Sequence, residues 1–112
     1  MKQIKAIIKP FRLEDVTNAI LKLGIQGMTI SEVKGFGRQK GHKEIHRGAE
    51  YVVDFNPKIE LSIFTADDMV SNIVEIIKET AGKGQIGVGK IFIVPVEKAI
   101  RIRTGEENED AI

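Results

Sequence analysis

The order in which two hydrophobic periodicities follow each other is the feature that most restricts the fold of this chain. Residues 2–9 place Ile4, Ala6 and Ile8 at alternate positions, which predicts a strand with one apolar face. The strand should end at Lys9, because the residue before a proline avoids the helical region. A helix is predicted next from apolar residues at helical spacing, with Gly24 just past its end: Leu13, Val16, Ile20 and Leu23.

The second half of the chain repeats this pattern without repeating the sequence. "MTISEVKGF" is rich in strand-forming residues, and Lys58 to Thr65 alternates again. Thr65 and Asp68 have the Thr-x-x-Asp spacing of a helix start. The apolar face of this second helix is predicted to be Met69, Ile73, Ile76 and Ile77, and "KIFIVPV" is the last strand, with Pro95 suggesting a sheet edge or a strand end.

Strand, helix, strand, strand, helix, strand is the order of the ferredoxin-like α+β fold. We therefore predict a four-stranded antiparallel sheet with two helices on one face and a long loop between strands 2 and 3. The other sheet face then has no helix over it. It must be solvated, bind something, or be buried against another copy of the chain.

Composition sets the class of protein. With 112 residues, 42% of them hydrophobic, residues 1–112 are predicted to form one domain that folds alone, with oligomerisation as a way to bury more surface. The balance of 17 Lys and Arg against 16 Asp and Glu argues against direct nucleic-acid binding. The absence of cysteine and of a long apolar run favours a soluble, cytoplasmic protein that would contact a membrane only through a partner.

Residues 37–55 form a connection far longer than a hairpin needs. Loops of this length are usually functional or disordered, so an insertion without a role is one reading. Its composition favours the other reading, an anion-seeking arm with one aromatic residue predicted to be exposed, Tyr51, since it also holds Arg38, Lys40, Lys43 and Arg47.

Residues 82–90, "GKGQIGVGK", carry four glycines and a terminal lysine. The spacing imitates two nucleotide-binding fingerprints, but those motifs follow a strand and open a helix, whereas this segment does the reverse. Two readings remain open. One is an ordinary helix-to-strand turn, and the other is a loop whose backbone amides converge on an anion beside Lys90.

Three further segments carry charged or titratable side chains that could bind a ligand. In the C-terminal segment 98–112, "RIR" is predicted to place Arg101 and Arg103 on the same side of an extended chain, where both can grip phosphate. The following "EENED" is interpreted as a solvated, frayed end. "HKEIH" has His42 and His46 four residues apart but lacks a Glu directly after the first His, so loop histidines are favoured over a zinc site.

Four stretches together resemble the PII nitrogen-regulatory signal proteins, over essentially the whole chain: "IIKPF", "EVKGFGRQKGHKEIHRGAEY", "GKGQIGVGKIF" and "IRIRTGE". The resemblance implies a ferredoxin-like homotrimer whose uncovered sheet faces line its centre. It also implies ATP or ADP sites in clefts between subunits, which would unite the separated basic segments. An RNA-binding module of the same strand order is the less favoured reading, because the chain has few aromatic residues for stacking.

Site residues follow from the same resemblance, position by position. Those implied to bind nucleotide are Ile7, Thr29, Gly35, Gly37, Arg38, Phe64, Gly87, Val88, Gly89, Lys90, Arg101 and Arg103. Those implied to bind 2-oxoglutarate are Gln39, Lys40, Gly41, Lys58, Ile86 and Gly87. Gln39 is also the implied magnesium ligand between ATP and 2-oxoglutarate. No residue is assigned a catalytic role.

The arm 37–55 resembles the family's T-loop, which reorders with ligand state and docks into targets. Tyr51 matches the tyrosine that a uridylyltransferase modifies in many members, whereas Ala49 excludes the serine phosphorylation known in others. Implied targets are an ammonium channel, the adenylyltransferase of glutamine synthetase, or a nitrogen sensor kinase that controls transcription. The implied activity is sensing without catalysis, and the alternative is a nucleotide-hydrolysing enzyme that uses the same pocket between subunits.

Overall fold

The computed structural model confirms the six predicted elements and their order. It describes residues 1–39, 52–82 and 88–112, with the backbone alone at 37–39 and 52–54. The strands and helices are β1 (Lys2–Ile8), α1 (Leu13–Lys22), β2 (Thr29–Gln39), β3 (Val52–Thr65), α2 (Val70–Thr80) and β4 (Gly89–Pro95). Short 3₁₀ turns span Pro10–Arg12, Asp67–Met69 and Asn108–Ala111.

The four strands form one antiparallel sheet in the order β2-β3-β1-β4. β1 and β3 are central, so each half of the chain contributes one central and one edge strand. This is the ferredoxin-like α+β fold that the sequence predicts. Pro95 is the last residue of β4, an edge strand, where its missing N–H leaves no gap in a ladder.

The core lies between one face of this sheet and the two helices. β1 and β3 pair Ile4 with Ile63, Ala6 with Leu61 and Ile8 with Ile59, and all six side chains are buried. The helices add the buried residues Val16, Ile20, Ile73 and Ile77. Each large aliphatic side chain removed from water in this way stabilises the fold by about 1.5–3 kcal/mol.

No helix of the described residues covers the opposite sheet face, as predicted. Gln3, on this face of β1, donates from Nε2 to Oγ of Ser62 on β3 at 2.9 Å. Apolar side chains on the same face stay about half exposed, with Phe64 at 45%, Phe92 at 49% and Val94 at 38%. The face therefore combines polar contacts in the middle with uncovered apolar groups along β4 and at the end of β3.

The β2–β3 hairpin reaches further into the arm than the predicted strands do. β3 was expected to begin at Lys58 but begins at Val52, and the backbone pairs Gly37 with Asp54 and Gln39 with Val52. Pro57 lies within β3 beyond the point where β1 pairing stops, at Ile59. β3 has one neighbour there, so a residue without an N–H is tolerated. Residues 40–51 lie outside the described part of the chain.

The start of α2 differs from the Thr-x-x-Asp prediction. Thr65 is the last residue of β3 and is buried, with 5% of its surface exposed. A 3₁₀ turn at Asp67–Met69 leads into the helix, and among the described residues no side chain donates or accepts a capping hydrogen bond at the turn or at α2. The prediction was wrong by one residue, because Thr65 still pairs with Lys2 in the ladder with β1 and Ala66 occupies the N-cap position of the turn.

Asp67 ties this turn to the N-terminus of β1. Its Oδ1 lies 2.9 Å from the Met1 amine and 3.3 Å from Nζ of Lys2. Hydrogen bonds from the N-terminal amine and then from Lys2 lower the pKa of the Asp67 carboxyl below its usual value of 3.8.

We expect the Asp67 carboxylate to make stability depend on acid pH. Because its folded-state pKa is lowered, its stabilising contribution is complete above the unfolded value near 3.8 and is lost as pH falls through the folded value. Asp67→Asn should thus unfold more easily than wild type in denaturant at neutral pH, and this difference should vanish in strong acid. Asp68→Asn is the control, since neither amine pairs with Asp68 among the described residues. If the stability of the two variants depended on pH in the same way, the role given to the Asp67 carboxylate would be contradicted.

Candidate functional site

A first cleft of about 510 Å³ opens beside the C-terminal end of α2. Three of the residues implied to hold phosphate, Val88, Gly89 and Lys90, line it together with Ile7. The pairing of β1 with β4 sets Ile7 directly opposite Lys90. A cation, a glycine backbone and an aliphatic side chain therefore meet at one edge of the sheet, which suits a ligand with a charged and an apolar part.

Gly89 makes this arrangement possible. Its φ is +126°, a conformation that side-chain-bearing residues rarely adopt, and a Cβ there would overlap the carbonyl oxygen of Ile7. The same Cβ would lie 3.0 Å from the Ile7 carbonyl carbon and 3.3 Å from Cα of Ile8. Glycine at this position therefore lets the chain leave the glycine-rich segment in close contact with β1 and begin β4.

A second cleft, of about 700 Å³, contains Thr29 and Phe64. It lies where the loop between α1 and β2 meets the end of β3, and the C-terminal residues Glu109, Ala111 and Ile112 form another wall. Thr29 pairs across the β2–β3 ladder with Ser62, which also lines the cleft. Hydroxyl groups beside an exposed aromatic ring provide hydrogen bonds and a stacking surface, as a nucleotide base requires.

Gly35 and Lys58 are in contact on neighbouring strands. The Cγ of Lys58 lies 3.5 Å from the position that a Cβ of residue 35 would occupy. The aliphatic stem of Lys58 therefore crosses β2 at Gly35, next to the base of the arm. This places the cation implied to bind 2-oxoglutarate against a residue implied to bind nucleotide.

The two C-terminal arginines line neither cleft. Arg101 Nη1 donates to Oε1 of Glu106 at 2.9 Å. Residues 102–104 form a turn, with Ile102 fully exposed, so the two arginines do not lie along an extended chain as predicted. The turn forms because Gly105, with φ of +77°, lets its N–H return to the Arg101 carbonyl at 2.7 Å.

The acidic residues after the turn are also ordered, contrary to the predicted frayed end. Glu106 pairs with Arg101, and Glu107 pairs with Lys98 at 3.4 Å. Sequence reasoning missed Glu106 because the acidic run was considered alone. The signal that could have found it is charge order, because basic residues precede Gly105 and acidic residues follow it.

Several implied site residues belong to parts of the chain that the structure does not describe in full. Lys40, Gly41, Tyr51, Ile86 and Gly87 lie outside the described residues, and only the backbone is described at Gly37, Arg38 and Gln39. Within the described part of the chain, no three His, Asp or Glu side chains converge as a metal-binding group. In the same residues, no helix is long and apolar enough to cross a membrane.

Comparison with known proteins supports the sequence resemblance over the same elements. A family model described as "Nitrogen regulatory protein P-II" matches residues 1–106. The chain belongs to the P-II family of nitrogen regulatory proteins. It is similar to the "Nitrogen regulatory protein P-II" of Haemophilus influenzae, with 62% identity over 112 residues and all of both chains covered. It is also similar to those of Pasteurella multocida, at 61%, and of Escherichia coli K12, named P-II 1, at 59%, each over the full length of both chains.

Membership in the P-II family fixes the broad role of the chain as a nitrogen regulatory protein. The relatives are named as regulators, which fits a protein without an enzymatic role. In the described part of this P-II chain, the implied nucleotide residues divide between the two clefts, the C-terminal turn and strand β2, which carries Gly35, Gly37 and Arg38. A complete binding site would need these parts to meet.

Proposed function

We propose that this P-II protein signals nitrogen and energy status by binding ATP or ADP together with 2-oxoglutarate. The observation that carries the proposal is the pairing of Ile7 with Lys90, next to the Gly89 backbone, at the edge of the first cleft. Lys90 would attract phosphate as a point charge, while backbone amides of the glycine-rich segment would approach the phosphate oxygens closely. Thr29 and Phe64 in the second cleft would hold the base.

The functional unit in this proposal is a homotrimer. Phe64, Phe92 and Val94 are half exposed on the sheet face that neither α1 nor α2 covers, and a second and third copy would bury them. Arg101 and Arg103 line neither cleft of their own chain. In a trimer they would reach the phosphates bound to the neighbouring subunit, where guanidinium groups bind phosphate in bidentate fashion.

Sensing would arise where the nucleotide and 2-oxoglutarate sites meet the arm 37–55. Lys58, Gln39 and the backbone near Lys40, Gly41, Ile86 and Gly87 would bind the two carboxylates, with magnesium held between Gln39 and ATP. Lys58 lies against Gly35 at the base of the arm, so ligand contacts there would favour one arm conformation over another. The arm would then dock on an ammonium channel, an adenylyltransferase or a sensor kinase, and a uridylyltransferase acting on Tyr51 would add bulk and negative charge.

No Asp or Glu is among the described residues lining the first cleft. A hydrolytic enzyme would need a group to activate water. No observation therefore favours the nucleotide-hydrolysing alternative.

The test is a calorimetric titration of 2-oxoglutarate into the protein with magnesium, once with ATP and once with ADP. We expect binding with ATP and none with ADP, because the triphosphate completes the magnesium site. Gln39→Ala should weaken 2-oxoglutarate binding by about tenfold or more, as loss of a group that orders a metal site does, while ATP alone still binds.

Other results of this titration would contradict parts of the proposal. ATP binding without any response to 2-oxoglutarate would reduce the protein to a nucleotide switch. No binding of either nucleotide would contradict the roles given to the glycine-rich segment and the two arginines.

A further inference from the structure

The C-terminal residues 99–108 form a tight hairpin whose backbone is fixed by several hydrogen bonds. Asn108 N donates to Ala99 O at 2.7 Å, Arg101 N to Glu106 O at 2.9 Å and Gly105 N to Arg101 O at 2.7 Å. Ile100 and Glu107 form a β-bridge within the same hairpin. Arg101 and Glu106 are thereby held opposite each other by the main chain, independently of their side chains.

The carboxylate of Glu106 collects two donors from this hairpin. Its Oε1 accepts from Arg101 Nη1 at 2.9 Å and from the Thr104 hydroxyl at 2.8 Å. The hydroxyl fixes the carboxylate, and the carboxylate in turn fixes one end of the guanidinium. A guanidinium has five N–H groups in a planar fork, and no described residue accepts from Nε or Nη2 of Arg101. The edge suited to bidentate phosphate binding stays open.

The ion pair itself is too exposed to add much stability. Side-chain exposure is 41% for Arg101 and 45% for Glu106, and such pairs contribute little to folding because solvent screens them. Its effect would instead be on ligand binding. A long arginine side chain loses rotamer freedom when it binds phosphate, and a side chain already held in place loses less.

We propose that Glu106 is a positioning residue of the nucleotide site, which holds Arg101 with its open guanidinium edge ready for a phosphate oxygen. The inference rests on the proposed function, in that Arg101 contacts a nucleotide phosphate. It adds a residue outside the implied ligand contacts, and it gives Glu106 alone among the acidic residues after Gly105 a role in nucleotide affinity.

A pair of substitutions at Glu106 separates positioning from charge. Both Glu106→Ala and Glu106→Gln remove the negative charge, but only glutamine keeps an oxygen that accepts from Arg101 and Thr104. We expect Glu106→Ala to weaken ATP binding about fivefold, equivalent to about 1 kcal/mol. Glu106→Gln should stay within about twofold of wild type. Affinities are measured by calorimetric titration of ATP into the full-length protein.

Glu107→Ala is the matched control. Glu107 is the next residue in the hairpin, is similarly exposed at 54%, and pairs with Lys98, which directly precedes the hairpin. Its substitution removes the same charge without touching Arg101, so ATP affinity should not fall. A general electrostatic effect of the acidic stretch would change affinity in the same direction for both alanine variants.

A double-mutant cycle with Arg101→Ala distinguishes positioning from a loss of hairpin structure. If Glu106 acts through Arg101, adding Glu106→Ala to Arg101→Ala should change ATP affinity by less than about twofold. If the hairpin merely unfolds, Arg103 is displaced too, and the second substitution should still weaken binding. That result would overturn the inference.

Two further outcomes are decisive. ATP binding by Glu106→Ala as tight as wild type, or tighter, would overturn the inference alone and indicate that Glu106 competes with phosphate for Arg101. Absence of ATP binding by the wild-type protein would overturn both the inference and the proposed function.

Discussion

Replacing Gly89 with alanine is expected to destabilise the fold by about 3 kcal/mol and to impair ATP binding at the same time. Two costs combine at this position. The residue has φ of +126°, where a side chain strains the backbone by about 1–3 kcal/mol. The new Cβ would also overlap the carbonyl oxygen of Ile7, which belongs to a central strand and has little room to shift. Unfolding in denaturant measures the loss of stability, and a titration with ATP measures the loss of nucleotide binding.

Gly24→Ala is the control that separates the two costs. Gly24 also has positive φ, +89°, but nothing lies within 4 Å of the position that its Cβ would occupy. Only backbone strain of about 1–2 kcal/mol should apply there. We expect Gly24→Ala to unfold more easily than wild type but less easily than Gly89→Ala. Equal destabilisation by both variants would show that the close approach to Ile7 costs nothing.

The glycine-rich segment shows how far sequence reasoning reaches. Its four glycines and Lys90 suggested an anion-binding loop, and Gly89 and Lys90 do line a cleft. The sequence could not reveal that Gly89 is required by the Ile7 carbonyl, because that contact joins residues far apart in the chain. The pairing of β1 with β4 that creates it is a property of the folded sheet.

The secondary structure was more predictable than the site because periodicity is local. Alternation in β1 and helical spacing in α1 identify their buried faces directly, and Ile4 and Ile20 are fully buried as expected. The start of α2 was misplaced because sheet pairing overrode a local capping signal at Thr65. Tertiary contacts commonly win such a competition, since capping contributes only about 1 kcal/mol.

The prediction for the C-terminal segment was wrong for a related reason. "RIR" was predicted to be extended because alternate residues of a strand share a face, yet residues 102–104 turn. A return bond to the Arg101 carbonyl and the Arg101–Glu106 pair favour the turn. The basic stretch before Gly105 and the acidic stretch after it are partners, which neither stretch indicates by itself.

A substitution on the uncovered sheet face is expected to have the second large effect, a change in the oligomeric state. Phe92→Asp should convert the proposed homotrimer to monomers at micromolar concentration while leaving the subunit folded. Phe92 is 49% exposed in the single chain and pairs across the sheet with Lys5. An aspartate there remains solvated beside a cation, so the cost to the monomer is small. In an assembly that buries this face, each copy would lose about 1.5–3 kcal/mol of apolar burial and bring an unpaired carboxylate out of water.

The comparison that isolates the sheet face is Phe11→Asp, the same change of side chain at a different place. Phe11 is more exposed, at 71%, and lies in the 3₁₀ turn after β1, between Lys9 and Arg12. Light scattering coupled to gel filtration should report a trimer mass for wild type and Phe11→Asp and a monomer mass for Phe92→Asp, with unchanged circular dichroism for all three. A trimer that survives Phe92→Asp would mean that the copies meet elsewhere.

Because Arg101 and Arg103 line neither cleft of their own chain, the monomeric variant should also bind ATP far more weakly if neighbouring subunits complete each site.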